Sequence, residues 1–171
     1  MELKDKIAKI RLILMDVDGV LTDESLLYGM RGEEVKIFNV KDGLGIKLAQ
    51  AAGLAIGIIS SRFSEALKIR AHELGVEVVL QAQKKKLDAY FQIKKELFVS
   101  DEQIAYIGDD LPDLAILKTA GFSIAVANAC QEAKQVADFI TEKSGGHGAV
   151  RDAIEMILRE QGKWEQVING F

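Results

Sequence analysis

The stretch Ile10-Arg11-Leu12-Ile13-Leu14-Met15-Asp16-Val17-Asp18-Gly19-Val20-Leu21-Thr22 sets two carboxylates two residues apart, just where an apolar run ends. Such a run reads as a buried strand, and in extended backbone residues i and i+2 share a face. Asp16 and Asp18 can therefore point together into the crevice at the strand's carboxyl end, where open parallel sheets place their ligands. Adjacent carboxylates repel unless a cation or proton intervenes. A hard divalent ion with oxygen ligands, Mg2+ above all, satisfies them and leaves one carboxylate free to attack an electrophile. A calcium-loop reading fails on spacing, because the sixth and twelfth positions from Asp16 hold Leu21 and Leu27 instead of glycine and glutamate. On this segment alone a plain solvated turn stays open.

Outward from that turn, short apolar runs alternate with helical patterns: Ile10 to Met15, Leu54 to Ser60, Val76 to Leu80, Ile104 to Gly108 and Phe122 to Val126. This predicts an α/β fold, a doubly wound, Rossmann-like parallel sheet with helices on both faces. Asp42 can cap a helix ending at Gly53, and Ser64 one ending at Gly75. Leu87, Tyr90, Phe91 and Leu97 form an apolar stripe that reads as core. Ser100 and Gln103 fit a capping box before the strand that delivers Gly108-Asp109-Asp110, and Pro112 suits the first turn after it. Gly145-Gly146-His147-Gly148 reads as a flexible loop before a helix from about 149 to 161, and residues 162–171 as a tail. Between the first strand and the helix at Asp42, residues 25–40 carry two partly apolar arms around Arg31-Gly32, a predicted β-hairpin. It is too short to cover a site as a lid domain. Its Leu26, Leu27, Tyr28, Met30, Ile37 and Phe38 would be a liability on a monomer, so they are expected to dock on another subunit.

At 171 residues one domain, 1–171, is expected, with a core that needs no metal or disulfide staple. Hydrophobic residues at 49% and charged residues at 28% are an ordinary soluble balance. No apolar stretch has the length of a membrane span, and the first residues lack the apolar core of a signal peptide. A cytoplasmic protein with no membrane partner is the expectation. The single cysteine, Cys130, excludes an intrachain disulfide and reads as a small packing residue. A net charge of −4 argues against nucleic acid as a partner, and the Lys84-Lys85-Lys86 run is too short to reverse that.

Three further signals sit at the ends of later strands. Ser60-Ser61-Arg62 combines hydroxyls, amides and a guanidinium suited to a phosphate or carboxylate, although such a turn can also be purely structural. Lys86 begins an amphipathic helix and could neutralise both a phosphoryl group and a nearby aspartate, whereas Lys84 and Lys85 read as solvated charge. In Gly108-Asp109-Asp110-Leu111-Pro112-Asp113 three acids follow a buried strand, which is costly without a metal, although Asp110 or Asp113 could also cap a helix.

In this order the motifs resemble those of the haloacid dehalogenase-like phosphohydrolases, which run acid-x-acid, Ser or Thr, Lys, and a late acidic pair. The resemblance implies that Asp16 attacks phosphorus in line and that Asp18 acts as general acid and then base. It implies Mg2+ held by the Asp16 and Asp109 carboxylates and the Asp18 carbonyl, with Asp110 steadying the metal site. Ser60, the Ser61 amide and Lys86 would grip the phosphoryl oxygens. Asp16 to Thr22, Phe38-Asn39-Val40-Lys41-Asp42-Gly43 with Gly45-Ile46, and Gly145-Gly146-x-Gly148-Ala149-Val150-Arg151 resemble, more narrowly, the capless phosphatases of 3-deoxy-D-manno-octulosonate 8-phosphate, a precursor in lipopolysaccharide synthesis. That likeness implies a phosphorylated sugar acid as substrate and a homotetramer in which a neighbour completes each site. It implies sugar contacts at Asp18, Asn39, Val40, Lys41, Asp42, Gly43, Lys47, Arg62, Arg70 and Lys86. Lys47 and Arg70 read equally well as solvated helix residues. Two departures stand out: Ser60-Ser61 replaces the commoner Thr-Gly, and His147 stands where an arginine is frequent.

Rival readings are a phosphatase for a nine-carbon sugar acid, which the same capless architecture serves, and a phosphate-binding module without turnover. A signalling receiver domain uses similar groups in the opposite order, with its acidic pair early and its phosphate acceptor after the third strand.

Overall fold

A computed structural model describes residues 3–170; Met1, Glu2 and Phe171, the last residue of the expected tail, lie outside them. The elements run α1 (Leu3–Ala8), β1 (Leu12–Met15), β2 (Leu27–Tyr28), β3 (Glu34–Val35), α2 (Val40–Ala51), β4 (Ala55–Ile59), α3 (Glu65–Leu74), β5 (Val78–Leu80) and α4 (Lys86–Glu96). They continue with β6 (Ile104–Gly108), α5 (Leu114–Leu117), β7 (Phe122–Ala125), α6 (Gln131–Val136), β8 (Phe139–Ile140), α7 (Ala149–Glu160) and α8 (Trp164–Ile168). Short 3-10 turns over Asp101–Gln103 and Leu111–Asp113 flank β6.

The main sheet has the order β5-β4-β1-β6-β7-β8, and every pairing in it is parallel. From β1 the chain winds outward through β4 to β5, then returns to the other side of β1 as β6. The switch point therefore lies between β1 and β6, where a crevice must open because the connections diverge. All four residues of β1 are buried, and Leu12 and Met15 pair with Ala55 and Ile58 on one side and Ile104 and Ile107 on the other. A continuous apolar run, without alternation, is what a strand covered on both faces requires.

The helices follow local signals. Ser64 Oγ accepts from Leu67 N at 3.3 Å to start α3, and Gly75, at φ +65°, ends it in the left-handed conformation a side chain disfavours. Ser100 N donates to Gln103 Oε1 at 3.1 Å before β6. In α7, Val150, Ala153, Ile154, Ile157 and Leu158 bury one face, against α2 among others. Each large aliphatic side chain so buried contributes about 1.5–3 kcal/mol.

The structure departs from the sequence expectations at five places. Asn39, not Asp42, caps α2: its Oδ1 accepts from Lys41 N at 2.8 Å. Residues 162–170 are not a loose tail, because Trp164 and Val167 bury one face of α8. The Gly145–Gly148 segment is tightly packed, with Gly146 N donating to Val20 O at 3.0 Å and Gly145 N to Asn128 Oδ1 at 2.7 Å. The aromatic stripe is split: Tyr90 is buried, but Phe91 and Leu97 are exposed. β8 is a two-residue edge strand too short to show a pattern in sequence. The hairpin forms around Arg31-Gly32, with Tyr28 paired to Glu34.

Candidate active site

Two neighbouring strands deliver the acids. Asp16 follows β1, its N donating to Ile107 O at 3.0 Å, and Asp109 follows β6 beside it. Val17 O accepts from the amides of Val20, Leu21 and Thr22, closing a turn whose Val17 and Val20 side chains are wholly buried. With those two valines anchored in the core, Asp16 and Asp18 are left to line the crevice. Gly19 makes the close approach possible: at φ +90°, a Cβ here would stand 2.0 Å from Asp109 Oδ2.

The crevice measures about 450 Å³ and is lined by Asp16, Asp18, Ser61, Arg62, Lys86, Asp109 and Asp110 among others. Lys86 Nζ lies 2.8 Å from Asp16 Oδ2 and 2.8 Å from Asp113 Oδ1, with its side chain 3% exposed. Burial alone would lower the Lys86 ammonium's pKa, but Asp113 and Asp16 hold it above the ordinary lysine value. Burial and the Asp113 charge push Asp16 up to about 6 against the pull of Lys86. Burial with Asp113 and Asp16 pushes Asp109 up to about 9.

Oxygens of Asp16, Asp109 and Asp113 all lie within 4.8 Å of one another, and buried Asp109 Oδ1 has no hydrogen-bond partner. An orphaned carboxylate oxygen among crowded acids that would otherwise retain protons fits a divalent cation. Such an ion would ionise them and supply the missing contact.

The sequence reading gave three residues here no settled role. Asp113, counted among the three acids after this strand with a cap as the alternative, is fully buried and organises the site: Oδ1 accepts from Lys86 Nζ and from Tyr106 Oη at 2.6 Å, and Oδ2 from Asp109 N at 3.0 Å. Asp110, expected to steady the metal ligands, is exposed at the crevice wall. The turn over Leu111–Asp113 folds the chain back so that Asp113 is buried against Lys86 while Asp110 stays at the crevice wall. Tyr106 carried no signal beyond its place in an apolar strand. Lys36, in the hairpin, ion-pairs Asp18.

Of the predicted phosphate grip, Ser60 is buried, with Oγ accepting from Arg62 N at 3.2 Å, while Ser61 lines the crevice. Arg62 also lines it and donates to Glu34 at 2.8 Å. Asn39, Val40, Lys41, Asp42, Gly43, Lys47 and Arg70 do not line the crevice of their own chain. Asp42 is 1% exposed and accepts from Gly148 N at 3.3 Å and Arg151 N at 2.8 Å, so its carboxylate caps the start of α7. A Cβ at Gly43 would meet the end of the Arg70 side chain at 2.2 Å, so the guanidinium packs directly over this glycine. Cys130 caps α6, its Sγ accepting from Ala133 N at 3.4 Å; burial pushes its thiol up, consistent with packing and not with nucleophilic use.

Residues 54–154 match the model of the haloacid dehalogenase-like hydrolases. The chain is 40% identical over 165 residues to the 3-deoxy-D-manno-octulosonate 8-phosphate phosphatase of Escherichia coli K12, covering 95% of this chain and 88% of that protein. The structure of the same phosphatase from Moraxella catarrhalis, in complex with magnesium, phosphate and KDO, superposes with a TM-score of 0.95 at 42% identity, covering 98% and 97% of the two chains. The cobalt-bound Haemophilus influenzae phosphatase superposes at 0.91 with 39% identity, covering 96% of this chain and 99% of that one. An acid-x-acid turn, a buried lysine and a late acidic pair converge at the sheet's switch point, on a fold shared end to end with these enzymes. The chain belongs to the haloacid dehalogenase-like hydrolase family, in its group of 3-deoxy-D-manno-octulosonate 8-phosphate phosphatases.

Proposed function

We propose that this chain removes the phosphate from 3-deoxy-D-manno-octulosonate 8-phosphate with Mg2+ as cofactor. The observation that carries the reading is the placement of Lys86 Nζ 2.8 Å from Asp16, beside Asp109, at the mouth of β1 and β6. Asp16 attacks phosphorus to form an aspartyl phosphate as the ester P–O bond breaks. Asp18 gives a proton to the departing alkoxide and later takes one from the water that hydrolyses the intermediate. Lys86 and the Ser61 amide balance charge on the phosphoryl oxygens, and buried Ser60 shapes that turn. The Asp16 and Asp109 carboxylates and the Asp18 carbonyl would hold Mg2+, which neutralises phosphoryl charge.

A substrate with both a phosphate and a carboxylate calls for cations, which Arg62 and Lys86 supply within the chain. We read Asn39, Val40, Lys41, Gly43, Lys47 and Arg70 as contacts offered to a neighbouring subunit's site in a homotetramer. In support, Asn39 caps α2 and the others lie on α2 and α3, and the hairpin that precedes α2 in the chain has exposed apolar side chains. Among the described residues no helix is long and apolar enough to cross a membrane; a cytoplasmic step in lipopolysaccharide synthesis is the corresponding proposal.

Phosphate release should be measured with Mg2+ on the eight-carbon sugar-acid phosphate, nine-carbon analogues and simple sugar phosphates, with chelator and Asp16→Asn controls. Preference for the eight-carbon acid is expected. An even spread over the panel would remove the substrate assignment, and activity in Asp16→Asn would remove the nucleophile.

A further inference from the structure

Lys36 lies just beyond β3, yet its side chain is only 3% exposed. Its Nζ ion-pairs Asp18 and lies 3.3 Å from Glu34 Oε1, and that oxygen also accepts from Arg62 Nη2 at 2.8 Å. Arg62, Glu34, Lys36 and Asp18 thus form a line of alternating charge. It joins the turn after β4, the hairpin and the acidic turn, three segments far apart in sequence. An ammonium taken out of water costs several kcal/mol unless its partners compensate. Lys36 therefore needs both carboxylates, and in engaging them it fixes the side of the crevice on which Asp18 sits. Lys36 contacts neither Asp16, Asp109 nor Lys86 in the ion pairs of the site, so its influence runs through Asp18.

We infer that Lys36 is a positioning residue for Asp18, and that Glu34 holds Lys36 in place for that task. Lys36 keeps the Asp18 carboxyl group in the place where, protonated, it gives its proton to the departing alkoxide and, as the carboxylate so formed, takes one from the attacking water. This rests on the phosphatase reading above.

The inference has a kinetic signature that a bracing role lacks. When Asp16 displaces a sugar alkoxide, the leaving oxygen needs the proton from Asp18. When it displaces p-nitrophenolate, the leaving oxygen needs none. Hydrolysis of the aspartyl phosphate needs Asp18 as base in both cases.

Rapid-quench kinetics on the full chain with Mg2+ would compare wild type, Lys36→Met and Lys36→Arg on the sugar-acid phosphate and on p-nitrophenyl phosphate. For Lys36→Met, kcat on the sugar-acid phosphate should fall on the order of tenfold or more. On p-nitrophenyl phosphate the first turnover should keep its rate, followed by slow steady state as phosphoenzyme accumulates. Lys36→Arg should recover most of both. Glu34→Gln should give the same pattern more weakly, and it decides the matter if Lys36→Met does not fold. Equal loss on both substrates without a burst, or no loss at all, would overturn the inference. A wild-type protein inactive on both substrates would overturn the phosphatase reading itself.

Discussion

Asp113 accepts from Lys86 Nζ at 2.8 Å inside the core, and both side chains are almost wholly removed from water. Asp113 therefore sets the place of Lys86 and, through the Asp109 amide, of the acid proposed to hold the metal. Replacing Asp113 with Ala would leave the Asp109 and Asp110 amides and the Tyr106 hydroxyl without this acceptor and Lys86 with Asp16 as its remaining ion-pair partner. Misplacing groups this close to the phosphoryl site should reduce kcat on the order of 100-fold. Steady-state kinetics beside a circular-dichroism melt will check it; wild-type turnover would show that Asp16 alone suffices to hold Lys86.

The raised pKa values give a stability prediction with a definite sign. Asp16 moves from its ordinary 3.8 to about 6 and Asp109 to about 9, both through burial and then the neighbouring Asp113. Between those ordinary and folded values the native state binds more protons than the unfolded chain, so metal-free stability falls as pH rises. Mg2+ binds the ionised acids, so its stabilising effect should grow over the same range. Melts in chelator should show Tm dropping from pH 5 to pH 9, with the Mg2+-induced increase largest at the alkaline end. An Mg2+ shift that does not depend on pH would contradict this account of the cluster.

Asp42 is expected to matter for folding and not for the sugar. Asp42→Ala would remove two acceptors from the first turn of α7 and should cost about 0.5–2 kcal/mol. Its Tm should fall while KM and kcat stay as in wild type. A variant with unchanged Tm and raised KM would return this carboxylate to the substrate.

The hairpin makes a prediction about assembly. Met30 is fully exposed, Tyr28 61% and Ile37 64%, more apolar surface than a two-strand ribbon can hide on its own chain. Light scattering should give a tetramer for wild type and a smaller species for a Met30→Asp/Ile37→Lys variant, with raised KM if a neighbour completes the site. A wild-type monomer at working concentrations would end both the tetramer and the shared-site proposals.

Much of the site could be read from local order, because Asp16, Asp18, Ser61, Lys86 and Asp109 each follow a strand or open a helix, and strand ends are visible as the edges of apolar runs. The parallel sheet was legible for the same reason: runs buried on both faces lose their alternation and stand out. The contacts of Asp113 and of Lys36 were not legible. A carboxylate near the start of a turn looks like a cap, and a lysine in a polar ribbon looks solvated, until packing shows which partners surround them.

By itself the sequence determined the apolar strands β1, β4, β5, β6 and β7, the helices between them, the acidic turn at a strand's end, and the hairpin, since these depend on hydrophobic period and on turn chemistry within a few residues. The tertiary structure alone decided that Asp113 is buried beneath the site while Asp110 stays at its wall, that Asp42 caps a helix some hundred residues further on, and that Lys36 meets Asp18. A charged side chain's role depends on the partners that replace its lost water, and only the folded chain chooses those partners.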